Sequence, residues 1–132
     1  MMQNIDILKN IENYTEEMTI SQVIAFFERN RIYFTKTMIQ NYVRVSVLSP
    51  LHNKRYYKKE HLCQLVMINE LKDIYSLEEI RACFDSYTSV EDAYNEYIKL
   101  YKNALDGFEN TKNKLAFMAI SSAALKKYRG ER

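Results

Sequence analysis

The sequence predicts a mainly α protein carrying one small β-hairpin, and three observations predict it. Gly and Pro are scarce, at 2 and 1, while 47% of the 132 residues are hydrophobic, a balance that favours packed helices over loops or disorder. Apolar residues recur at three- and four-residue spacing through most of the chain, punctuated by capping signatures. Between Val45 and Tyr57 that spacing gives way to β-branched residues, a Ser, Pro and Asn cluster and an aromatic pair, which read as two short strands around a turn.

The elements follow in order. Ile5, Leu8 and Ile11 stand at three-residue spacing among acids and asparagines, so residues 1–18 are expected to form a short amphipathic helix or an arm of marginal order. Thr19-x-x-Gln22 has capping-box form ahead of Val23, Ile24, Phe26 and Phe27, and starts a helix ending near Asn30. After the turn Arg31-Ile32-Tyr33-Phe34, Thr35 is the N-cap of a second helix through about Val45, with Met38, Ile39 and Tyr42 inward. Lys36, Thr37, Gln40, Asn41 and Arg44 then fall on its other side. In the hairpin, Lys54 to Tyr57 is the expected return strand.

From Lys58 to about Ile74 apolar residues cover more than half of a helix's circumference, so this helix must be contacted on more than one side. Ser76-x-x-Glu79 is a second capping box, with Leu77, Ile80 and Phe84 on the buried face. Thr88 or Ser89 opens a longer helix whose stripe of Tyr94, Tyr97 and Tyr101 reads as core, with an interruption expected at Asp106-Gly107. A last, alanine-rich helix from about residue 110 to 128 closes with Lys126, Lys127 and Arg129 before Gly130, which suits the negative end of a helix dipole. Residues 19–86 are expected to form one functional unit and residues 87–132 a helical region for packing, dimerisation or effector binding.

Charge is concentrated rather than large. The formal net charge is +2, yet residues 29–59 hold Arg29, Arg31, Lys36, Arg44, Lys54, Arg55, Lys58 and Lys59 with no acid at all. Five of the acids and one base lie in residues 1–28. Such an asymmetry is the footprint of an anion-binding face.

Other classes of function find no support in the residues. There is no Ser/His/Asp order, paired catalytic carboxylates, phosphate-cradling glycines or cofactor motif, so an enzyme is not expected. Cys63 and Cys83 lack CxxC spacing and His partners and read as buried inert thiols; His52 and His61 read as surface residues, and no metal is expected. The run Leu115–Leu125 is too short and too rich in small polar residues to span a bilayer. With no leader-like start, the expected location is cytoplasmic, at the nucleoid.

The order helix, turn, second helix with an acid-free polar face, basic hairpin, scaffold helix is that of a winged helix-turn-helix. The residues Ile39-Gln40-Asn41-Tyr42-Val43, Ser46-Val47-Leu48, Pro50, Arg55-Tyr56-Tyr57, Leu62-x-x-Leu65-x-x-Ile68 and Ser76-Leu77-Glu78-Glu79-Ile80 resemble the MerR-type regulators over about residues 19 to 84. A closer resemblance, through Thr35 to Tyr42, Lys54 to Tyr57 and the alanine-rich final helix, is to the bacterial family named domain of unknown function 1836, itself described as MerR-like. Gln40 and Asn41 stand where MerR proteins carry Arg and Tyr, Val43 replaces an acid, Ser46 replaces a glycine, and the turn 30–34 lacks its usual glycine. The C-terminal third has no heptad-patterned dimerisation helix with a metal-sensing Cys loop.

The expected function is a sequence-specific, double-stranded DNA-binding transcriptional regulator. Gln40 and Asn41 in the major groove can pair with adenine, and Arg44 with guanine or phosphate. Lys36 and Thr37 at the helix N-terminus suit a phosphate. By resemblance, Arg55 on the wing, residues 47–57, would reach a flanking phosphate, with Lys54, Lys58 and Lys59 adding attraction and one of Tyr56 and Tyr57 anchoring the wing. A homodimer through the C-terminal helices is expected, with a small-molecule effector possible there. The alternative is an interaction module whose basic face docks an acidic protein.

Overall fold

The structure is a computed structural model that describes residues 3–14 and 16–111. It is mainly α, with helices Gln3–Glu12 (α1), Ile20–Arg29 (α2), Lys36–Arg44 (α3), Lys59–Leu71 (α4), Leu77–Asp85 (α5) and Val90–Thr111 (α6) among the described residues. The chain divides into two compact units, Met1–Val66 and Met67–Arg132, with the boundary inside α4. The expected alanine-rich helix from about residue 110 to 128 lies almost wholly outside the described residues.

The first unit is built on an aromatic chain. Tyr14, Phe26, Phe27, Phe34 and Tyr42 meet edge to face in sequence, with ring centroids 5.2, 5.2, 5.1 and 6.2 Å apart. Each such contact contributes about 0.5–1.5 kcal/mol beyond area burial, and together they fix α3 against α2 across the connecting turn. Ile32 and Phe34 turn inward from that connection. α1 is no marginal arm: Ile7 and Ile11, one helical turn apart, are fully buried. Asn10 also donates to the Asn30 side chain at the end of α2, at 3.1 Å.

Both expected capping boxes form. Thr19 Oγ1 accepts from Gln22 N–H and Gln22 Oε1 accepts from Thr19 N–H at 2.8 Å. Ser76 and Glu79 exchange the same pair of bonds at 3.0 and 3.1 Å. Thr35 caps α3 through Met38 N–H at 3.0 Å, while its own N–H faces the Met38 sulfur.

The two-stranded hairpin does not form, and the donor inventory gives the reason. Val47 and Leu48 donate to Tyr42 O at the end of α3, Ser49 donates to Gln64 Oε1, and Pro50 has no N–H. No amide from residue 47 to 50 is left for a ladder. Tyr57 instead pairs with Met18, each donating to the other at 2.8 Å, and His52 pairs with Tyr56. Between them His52–Arg55 closes a tight turn with positive φ at Asn53 and Lys54, the φ pattern of primed turns.

Arg31 and Ser46, in the two places noted above for lacking glycine, adopt left-handed φ of 62° and 64°. The backbone keeps the shape that glycine would favour, at a cost near 1 kcal/mol per residue.

α4 is buried without a break from His61 to Ile68, as its breadth of apolar residues requires. In the second unit Ile80 of α5 and Ala93, Tyr94 and Tyr97 of α6 are buried, and the rings of Tyr94 and Tyr97 stack at 6.3 Å. α6 runs through Asp106-Gly107 uninterrupted. A single glycine costs a helix only about 1 kcal/mol, and no proline accompanies it.

Candidate nucleic-acid interface

α3 presents its polar residues as its periodicity requires. Ile39 and Tyr42 are buried, while Lys36, Thr37, Gln40 and Arg44 are exposed and Asn41 is half-buried. Arg44 Nη2 donates to Asn41 Oδ1 across one helical turn. Lys36 and Thr37 sit at the helix N-terminus, where backbone N–H groups lack intrahelical acceptors.

Beyond α3 the chain is tied down by two buried polar side chains of α4, at positions where a sequence reading sees only an apolar helix. Gln64 accepts from Ser49 N–H and donates to Ser49 Oγ, both at 3.0 Å. His61 Nδ1 accepts from Lys58 N–H at 2.9 Å, so Nε2 carries the ring proton and donates to the Ser49 and Pro50 carbonyls at 3.1 and 3.2 Å. His61 is 1% exposed, which corrects its reading as a surface residue. The signal was present as a His-x-x-Gln pair opening the helix that follows Pro50, where the chain is poor in donors.

The turn that follows carries the remaining basic residues. Lys54 and Arg55 are exposed, and the Arg55 guanidinium lies 5.4 Å from the centroid of the half-buried Tyr56 ring, a cation–π contact. Tyr57 is the anchor: it is 3% exposed and packs edge to face on His61 at 5.6 Å. Its side chain therefore stands behind the surface rather than on it. Burial raises the phenols of Tyr57 and Tyr42 above their ordinary range. His52 pairs with Glu17 at 2.8 Å, linking the turn to the segment before α2. Lys58 and Lys59 are exposed, with Lys59 Nζ 3.5 Å from Glu12 O.

All eight bases from Arg29 to Lys59 are exposed, and among the described residues none forms an ion pair with a carboxylate. Arg29 and Arg31 thus extend the basic set beyond α3 and the turn. Tyr33, between buried Ile32 and Phe34, is 68% exposed. The alternation in-out-in through the turn could have flagged it as an outward aromatic among bases. Elsewhere, no group of His, Cys, Asp and Glu among the described residues could hold a metal ion, and no helix there is long and apolar enough to cross a membrane.

A family model described as domain of unknown function (DUF1836) matches residues 8–104. The chain belongs to this family. The DUF1836 match takes in α2 through α5 whole, and with them every residue of the basic segment. It stops before the alanine-rich C-terminal stretch. No curated protein and no solved structure matches the chain.

Proposed function

We propose that this protein is a sequence-specific, double-stranded DNA-binding regulator of MerR-like winged helix-turn-helix type. In this reading α2, the turn and α3 form the helix-turn-helix, and α3 enters the major groove. The tight turn His52–Tyr56 serves as a reduced wing on the flanking phosphates. The observation that carries the reading is the segment 29–59, in which eight exposed bases occur with no acid and no carboxylate partner among the described residues. A merely solvated face mixes both signs.

The chemistry is divided among the residues. Lys36 and Thr37, with the N–H groups of the α3 N-terminus, hold a phosphate; Gln40, Asn41 and Arg44 meet base edges. Arg55, oriented by Tyr56, and Lys54, Lys58 and Lys59 engage the backbone. A homodimer on a palindromic site fits this mode of binding. Titrating a labelled random duplex with the full chain at low salt tests the proposal. Binding that is lost in a Lys54→Ala/Arg55→Ala variant supports it. Absence of duplex binding rejects it, and retention of an acidic protein by the same basic residues would then assign the face to a protein partner.

A further inference from the structure

Building on the proposed recognition helix, we infer that Asn41 and Arg44 act as one donor pair that selects guanine, while Gln40 separately selects adenine. The starting point is the bond from Arg44 Nη2 to Asn41 Oδ1. A guanidinium offers donors and no acceptor, so the Asn41 amide must turn its oxygen toward Arg44 and its NH2 group away. The i, i+3 spacing keeps both side chains on one helix face. Together they present N–H groups outward, and the tie reduces the rotamer freedom lost on binding.

Base edges distinguish the two kinds of reader. Adenine shows a donor beside an acceptor, N6–H and N7, whereas guanine shows two acceptors, N7 and O6. A bidentate contact to adenine needs an amide whose oxygen and nitrogen can both turn to the base edge. Gln40 meets that condition: it is exposed and its side chain has no hydrogen bond or ion pair among the described residues. Asn41 meets it less well, because its oxygen is turned toward Arg44 and has one of its two lone pairs taken. For Asn41 a guanine contact is thereby favoured over the adenine contact expected from its residue type alone.

The test is selection of sites from a randomised duplex library by the full chain and by its Arg44→Ala and Asn41→Ala variants, followed by affinities on defined duplexes. The wild type should return a recurrent guanine whose replacement by adenine weakens binding roughly 5- to 150-fold. Arg44→Ala frees the Asn41 oxygen and should switch that position from guanine toward adenine, leaving the adenine read by Gln40 unchanged. Asn41→Ala should relax the same position without selecting adenine. Both residues lie at least partly on the surface, and unchanged thermal melts confirm that the variants fold. Equal weakening on every duplex with Arg44→Ala, or relaxation of different positions by the two variants, overturns the inference while leaving DNA binding intact. A wild type that binds no duplex overturns both.

Discussion

Ser46 closes α3 with a φ of 64°, a conformation that costs a residue with a Cβ about 1 kcal/mol. Ser46→Gly should therefore raise stability by up to about 1 kcal/mol, less the extra freedom glycine gives the unfolded chain. Equilibrium denaturation measures this, and a loss of stability would mean that the serine side chain contributes more than the backbone gains. A second residue-scale effect concerns pH. Burial raises the Tyr42 and Tyr57 phenols above the ordinary 10.0, so the unfolded chain loses these protons first as the medium becomes alkaline. Their stabilising contribution is complete below about pH 10 and declines as pH rises from there through the folded-state values. Tyr57→Phe should show a shallower alkaline loss than the wild type in denaturation measured on either side of that pH.

Local signals at this scale were unevenly legible. Cap residues are read from their type and spacing, and Thr19, Thr35 and Ser76 were all identifiable. The burial of His61 and the pairing of Asn41 with Arg44 were not, because each depends on a partner whose position follows only from folding.

Among elements, α2, α3 and α5 were legible because their starts are dictated by side chains a few residues away. Thr35→Ala should cost about 1 kcal/mol by removing the cap of α3, measured by denaturation, with a matching fraying of α3 amides in hydrogen exchange. A change confined to other helices would show that the cap is not what sets α3. The two-stranded hairpin is absent for a reason the residues do not declare. β-branched Val45 and Val47 favour a strand, but their amides close the end of α3, and Ser49 goes to Gln64. Hydrogen-bond demand at the helix terminus overrode strand propensity. Likewise Asp106-Gly107 reads as a break, yet the periodicity on either side carries α6 through it.

For the molecule as a whole, the legible quantity was charge. Where the basic residues lie along the chain is plain from the sequence; that all eight are exposed and none has a carboxylate partner among the described residues required the fold. Family membership covers the same region, and the proposal that this region is a nucleic-acid face rather than a solvated one rests on its exposed, acid-free bases. Counterion release supplies the decisive observable, since each phosphate neutralised lowers the salt exponent by about 0.9. The measurement is the affinity of the full chain for duplex DNA as a function of salt, for the wild type and for Arg55→Ala. Log K should fall linearly with log salt, with a slope corresponding to about five to eight phosphate contacts per half-site, reduced by about one contact in the variant. Salt-independent affinity, or no duplex binding at low salt, would contradict that proposal.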